Sequence, residues 1–284
     1  MDAAARQQAE GEFAALSQGI THYQWLGPMR GPVAVCVHGL TTPSFVWYGV
    51  AQGLARMGFR VLIYDLYGRG YSDRVPGRQD TAFFLQQLDD LLADQQIGDD
   101  ITLLGYSMGG AIATGFTATH PDRVRQLVLL APAGVETKVG AMARFITKVP
   151  AIGDWLMLAL FPYRYRKETE AERALPGSVE NIVDLQQREL EFKGFIPAVL
   201  ASMRGILSDP QQEAHRAIHK AGVPVLAIWG GKDKVIPLTA MSTLATWSRN
   251  ARQEVIDKAG HGLPYTHTDA ILATMSETLR DGLI

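Results

Sequence analysis

The chain has 284 residues, 47% of them apolar and 20% charged, with a formal net charge of −2. That size and composition suit one large α/β domain, or a domain carrying an insertion, with enough apolar material for a sizeable core. The near-neutral balance gives no electrostatic case for nucleic acid, the single cysteine, Cys36, excludes an internal disulfide or a cysteine-rich metal site, and no stretch approaches the roughly 18–20 uncharged apolar residues of a membrane span.

Residues 1–18 read as a polar Ala/Gln helix or a frayed arm without an apolar core of signal-peptide length, so a soluble, cytoplasmic protein is expected. A first strand is expected over Gly19–Leu26, bounded by the turn pairs Gly27-Pro28 and Gly31-Pro32. Val33–Val37 is a continuous apolar run of the kind buried on both faces of a sheet, and it ends in His38-Gly39-Leu40-Thr41-Thr42. Cys36 inside it reads as a small buried side chain. A helix is expected over Ser44–Met57, a strand over Phe59–Asp65, and then the glycine-rich loop Leu66–Asp73.

Thr81–Gln96 carries Phe84, Leu85, Leu88, Leu91 and Leu92 at helical spacing. Asp100–Gly105 reads as a strand, Gly110–Ala118 as a helix of small residues able to lie close to a sheet, and Val124–Leu130 as another strand. This alternation predicts a parallel sheet with helices on both faces, and it brings His38, Asp65 and Ser107 to the ligand-binding edge at the strands' carboxyl ends.

From about Gly134 to Gly222 the alternation gives way to helical patterning rich in apolar residues, among them Trp155 and Phe161, with Arg164, Arg166 and Lys167 following. This reads as a helical insertion. Val223–Trp229 resumes the strand pattern, Gln253–Ile256 is a last short strand and Thr266–Arg280 a closing helix.

The chemistry centres on Gly105-Tyr106-Ser107-Met108-Gly109, a Gly-x-Ser-x-Gly pentapeptide between a strand and a helix. Such a turn holds the serine in a strained backbone conformation, and a side chain at either glycine would crowd the strand-to-helix packing. The free N–H groups at the start of the helix face any negative charge that develops there. A serine hydroxyl is a weak nucleophile, so it needs a base and a group that orients the base.

His261, in the glycine-flanked loop Lys258–Gly262, is the expected base because that loop can reach over the sheet edge. His22 alternates with apolar neighbours on the first strand, His120 precedes Pro121 in a turn and His267 opens the last helix. His215 and His219 share a helix face that could suit a metal, but no carboxylate signature accompanies them and they read as a solvated pair. Asp233, just past the Val223–Trp229 strand, gives the chain order serine, acid, histidine, with Glu136 as runner-up. Asp65 reads as a structural residue that fixes its glycine-rich loop. The oxyanion donors are expected from the backbone N–H groups of Met108 and Leu40, with His38 shaping the second loop by hydrogen bonding.

These motifs resemble the α/β-hydrolase superfamily over essentially the whole chain. His38-Gly39 is similar to its oxyanion loop, Asp65–Asp73 to the loop after its fourth strand, Gly105–Gly110 to its nucleophile elbow, and Gly230–Asp233 and Gly260–Gly262 to its acid and histidine loops. The resemblance implies an eight-stranded, mostly parallel sheet, a core domain of residues 1–134 and 223–284, and a helical lid over 135–222. A serine at the elbow argues against the haloalkane dehalogenase and epoxide hydrolase branches. The His-Gly-Leu-Thr-Thr loop departs from that of proline iminopeptidase relatives and of carbon–carbon bond hydrolases. The branch it resembles most is that of capped carboxylesterases and monoacylglycerol-lipase-like proteins.

The expected activity is therefore hydrolysis of carboxylic esters with an apolar acyl or alcohol part, by Ser107, His261 and Asp233, with no metal or organic cofactor. Trp155 and Phe161 are the lid candidates for substrate contact, and the apolar lid with its basic residues could also touch a lipid surface. Two other classes stay open: the same triad acting on an amide, thioester or carbon–carbon bond or in cofactor-free perhydrolysis, and a non-catalytic ligand receptor that keeps the fold.

Overall fold

The computed structural model describes residues 6–7 and 9–280. Of the arm expected over residues 1–18, positions 1–5 and 8 lie outside the described residues. The apolar runs become strands: β1 Glu12–Ala15, β2 Ile20–Leu26, β3 Val33–Val37, β4 Arg60–Tyr64, β5 Ile101–Tyr106, β6 Val124–Leu130, β7 Val225–Gly230 and β8 Arg252–Ile256. They form one sheet in the order β1-β2-β4-β3-β5-β6-β7-β8. The strands from β4 to β8 in this order run parallel, while β1 and β2 add an antiparallel edge. Strands β5 and β7 are buried along their whole length, which is why they show no alternation of apolar and polar residues.

Strand β1 corrects the reading of the first residues as helix or arm. Glu12–Ala15 pairs in register with Ile20–Tyr23. Only Ala14 of its four residues is buried, and the run is too short to show a period.

Between the strands lie α1 Tyr48–Arg56, α2 Thr81–Asp94, α3 Met108–Thr119, α9 Thr239–Trp247, α10 Leu263–Thr266 and α11 Thr268–Arg280. Asp80 caps α2 by accepting from the Phe83 N–H at 3.1 Å. Helix α3 is small-residue and buried over nearly its whole length, so it lies directly on the sheet and fixes the elbow at its N-terminus.

The segment between β6 and β7 folds into α4 Ala141–Lys148, α5 Ile152–Glu170, α6 Ile182–Arg188, α7 Phe195–Arg204 and α8 Gln212–Ala221. Its first part has a small core of its own, built on Ile146, Met157, Tyr165, Phe195, Val199 and Leu200. Helix α8 instead packs on α3 and α9, within the layer of helices that flanks the sheet. No helix among the described residues is long and apolar enough to cross a membrane.

Candidate active site

Ser107 sits at the junction of β5 and α3 with φ 52° and ψ −118°, a left-handed conformation that a non-glycine residue adopts only at a cost of roughly 1–3 kcal/mol. Hydrogen bonds from both sides hold it there. Its N–H donates to the Leu130 carbonyl at 3.0 Å, and its carbonyl accepts from the Gly110 and Ala133 N–H groups, each at 2.9 Å. The flanking glycines are required by space. A Cβ on Gly105 would lie 2.4 Å from the Gly109 carbonyl oxygen, and one on Gly109 would lie 2.1 Å from that of Val37.

The structure brings the three residues singled out for the reaction into one hydrogen-bonded chain. His261 Nε2 is 3.0 Å from Ser107 Oγ, and its Nδ1 is 2.8 Å from Asp233 Oδ2. The Asp233 side chain is almost fully buried, while that of His261 is partly open. The other carboxylate oxygen of Asp233 accepts from the N–H groups of Val235 and Ile236 at 2.7 and 2.9 Å. A carboxylate with its lone pairs so occupied is fixed in place and stays acceptor-only toward the imidazole. The His261 backbone is held by Tyr106, whose hydroxyl donates to its carbonyl at 3.0 Å and whose ring lies 5.3 Å from the imidazole.

The His38–Thr42 loop lies against the serine: a Cβ on Gly39 would be 3.3 Å from Ser107 Cβ. Among the described residues the N–H groups of Leu40 and Met108 make no hydrogen bond, and Met108 opens α3, where the helix dipole adds to its attraction for negative charge. His38 shapes the loop as expected. Its Nε2 accepts from the Leu66 N–H at 2.9 Å and its Nδ1 lies 2.8 Å from the Gly39 carbonyl. Complete burial lowers its pKa from 6.5 to about 4, so it is a neutral imidazole donating through Nδ1.

Asp65 is likewise structural. It accepts from the N–H groups of Ser44 and Tyr71, both at 2.9 Å, and pairs with His22 at 2.7 Å. Burial works against its ionised form, but His22 and these donors outweigh it and hold the carboxyl well below the usual range. Glu136 is not the residue bonded to His261: its oxygens accept from Thr239 and Thr243, and Asp233 takes the Nδ1 position.

Arg69 escapes a reading by sequence alone. Its side chain is fully buried and donates to the carbonyls of Leu40, Tyr67 and Ala198, to Gln79 Oε1 and to Ser202 Oγ. It therefore ties the loop beside Ser107 to helix α7. The available signal is a guanidinium flanked by glycines in Tyr67-Gly-Arg-Gly70, a tight turn with little room for a solvated cation.

Above that loop, Tyr165 of α5 donates to the Thr41 carbonyl at 2.9 Å, and Phe161 stacks on Tyr165 at 5.3 Å. Leu40 packs against the same apolar group, so Phe161 belongs to a wall next to the loop. Trp155 does not: it is 67% exposed on the outside of α5, because it lies on the opposite side of the helix from Met157, Phe161 and Tyr165. The solvated reading of His215 is also corrected. It is fully buried beside Trp247, and neither ring nitrogen has a hydrogen-bond partner among the described residues. Among the described residues no group of three histidine, cysteine, aspartate or glutamate side chains could hold a metal ion.

The sequence and the fold are similar to those of known proteins. Over 224 residues the chain is 30% identical to 2-hydroxymuconate semialdehyde hydrolase of Pseudomonas putida, covering 74% of this chain and 73% of that protein. It is 24% identical over 270 residues to pimeloyl-(acyl-carrier protein) methyl ester esterase of Aliivibrio salmonicida, covering 92% and 97%. The crystal structure of the enol-lactonase from Burkholderia xenovorans superposes with a TM-score of 0.77 at 21% identity, over 95% of this chain and all of that one. The sequence matches the alpha/beta hydrolase fold family over residues 32–268, which with the sheet order and the elbow at Ser107 makes this chain a member of that family.

Proposed function

We propose that this chain hydrolyses carboxylic esters through an acyl-enzyme on Ser107. The observation that carries the reading is the unbroken Ser107–His261–Asp233 hydrogen-bond chain. His261 Nε2 takes the hydroxyl proton as Ser107 Oγ attacks the carbonyl carbon. The oxyanion is held by the N–H groups of Leu40 and Met108. His261 then protonates the leaving alcohol, and later takes a proton from the water that releases the acid. Asp233 fixes the imidazole tautomer and stabilises the imidazolium. Within residues 135–222, helices α4 to α7 serve as the lid, with Phe161 and its aromatic neighbours offering an apolar wall to the acyl or alcohol part.

A second reading, hydrolysis of a carbon–carbon bond at the same serine, is favoured by one observation: 2-hydroxymuconate semialdehyde hydrolase is among the relatives. Both readings are tested by p-nitrophenyl esters from acetate to palmitate, with 2-hydroxymuconate semialdehyde in the same panel and a fluorophosphonate probe alongside. Labelling with ester turnover that peaks at one chain length, both lost in Ser107→Ala, is the expected result. Labelling with turnover of the semialdehyde alone establishes the second reading. Absence of both labelling and turnover overturns both and leaves a non-catalytic receptor.

A further inference from the structure

The outer face of α4 and α5 carries a concentration of apolar surface that the reaction does not use. Of the thirteen large apolar side chains exposed on the described residues, eight fall between Val139 and Tyr163. Scattered exposed apolar residues are ordinary, but a cluster of this kind is not. Tyr163 is 72% exposed, Trp155 67% and Ile152 56%, and Phe145 projects from the adjoining α4. Helices α4 and α5 pack on one another across a connection of residues 149–151, so these side chains belong to one helical hairpin. Beside it, between α5 and α7, opens a mainly apolar groove of about 240 Å³, lined by Met157, Leu158, Ile196, Pro197, Leu200 and Ala201 together with the Asp154–Arg204 ion pair.

Charge identifies the occupant. Residues 138–170, from just before α4 to the end of α5, contain six exposed cations, Lys138, Arg144, Lys148, Arg164, Arg166 and Lys167, and three acids, Asp154, Glu168 and Glu170, of which Asp154 pairs with Arg204 and Glu170 with Arg173. None of the six cations is ion-paired among the described residues. This local excess of three positive charges stands on a chain whose net charge is −2. Two copies meeting through this face would oppose like charges around the apolar centre. An anionic bilayer surface instead offers apolar depth for Trp155, Phe145 and Ile152 and a negative headgroup layer for the cations around them.

From this we infer that the α4–α5 hairpin is a docking face for anionic phospholipid surfaces. The inference is independent of the reaction catalysed, since none of these residues belongs to the Ser107 site.

The test is co-sedimentation of the full chain with vesicles of pure phosphatidylcholine and of phosphatidylcholine mixed equally with phosphatidylglycerol, at physiological salt. Binding to the mixed vesicles is expected, weakening as salt rises, and brominated acyl chains should quench part of the tryptophan emission in a way lost in Trp155→Phe. The double variant Phe145→Ser/Ile152→Ser should lose at least about tenfold in vesicle binding while keeping its thermal midpoint and its turnover of a short soluble ester. Failure to bind the mixed vesicles, equal binding to both compositions, or unchanged binding by the double variant each overturns the inference. So does a concentration-dependent dimer that the double variant abolishes, which would assign the face to a second copy. If neither protein turns over the ester, the proposed reaction fails while the vesicle result still decides this point.

Discussion

His38 Nδ1 stands 2.8 Å from the Gly39 carbonyl, and that carbonyl belongs to the same peptide unit as the Leu40 N–H. A planar trans peptide points its C=O and N–H in opposite directions, so a donor that fixes one end aims the other. In the proposed mechanism the neutral imidazole would act at one remove, by directing the Leu40 N–H toward the space above Ser107. Its other nitrogen anchors it to the Leu66 N–H.

Replacing His38 by alanine should therefore lower kcat on an ester by about 10–100-fold, with little change in KM, because the donor is misdirected in the transition state. The orphaned, buried Leu66 N–H should cost about 1–3 kcal/mol in urea unfolding. A folded His38→Ala protein with unchanged kcat would show that the Gly39–Leu40 peptide orients itself.

Asp233 spends one oxygen on two backbone N–H groups and the other on His261. In Asp233→Asn the amide can keep its oxygen toward Val235 and Ile236 only by presenting its NH₂ group to His261 Nδ1. That selects the tautomer with the proton on Nε2, which cannot accept from Ser107. A loss of about 10⁴ in kcat is expected, with the fold intact. Steady-state rates beside a circular dichroism melt check it, and a loss of only a few-fold would remove Asp233 from the mechanism.

Arg69 supplies a different kind of control, since it joins the carbonyl of Leu40 to helix α7 through Ala198 and Ser202. Arg69→Met fills similar volume but leaves five buried acceptors short of a donor. The expected cost is about 3–5 kcal/mol, and α7 should loosen from the Leu40 loop. Limited proteolysis should cut this variant between β6 and β7 before the sheet domain is touched. Uniform cleavage across the chain would instead mean that Arg69 merely supports global stability.

Most of the sheet and the three residues of the Ser107–His261–Asp233 hydrogen-bond chain were legible in the sequence, for definite reasons. Central parallel strands are apolar on both faces, and turns such as Gly105–Gly109 permit few residues for steric reasons. Strand β1 was hidden by its four-residue length, and helix α9 went unread between two loops. Arg69 and Tyr106 were invisible for another reason: their partners, Ala198 and His261, lie far away in sequence. The same holds for the side chains of α5, where only the fold decides that Phe161 faces the loop and Trp155 faces outward.

His215 offers a test of burial uncomplicated by catalysis. It is enclosed between α8 and the Trp247 ring with both nitrogens unpartnered, and burial lowers its pKa from 6.5 to about 4. Below about pH 6.5 the unfolded chain binds a proton here that the folded chain refuses until near pH 4. Its contribution to stability is therefore intact above pH 6.5 and declines as the pH falls toward 4, by up to roughly 3 kcal/mol. His215→Leu removes both the proton linkage and the unpaired polar atoms. The variant should be at least as stable as the parent near pH 7.5, with an advantage that widens by about 1.4 kcal/mol for each pH unit below 6.5. Urea midpoints at several pH values read this directly. Parallel profiles for the two proteins would mean that His215 titrates alike folded and unfolded, and a variant weaker at every pH would mean that the imidazole is hydrogen-bonded through bound water.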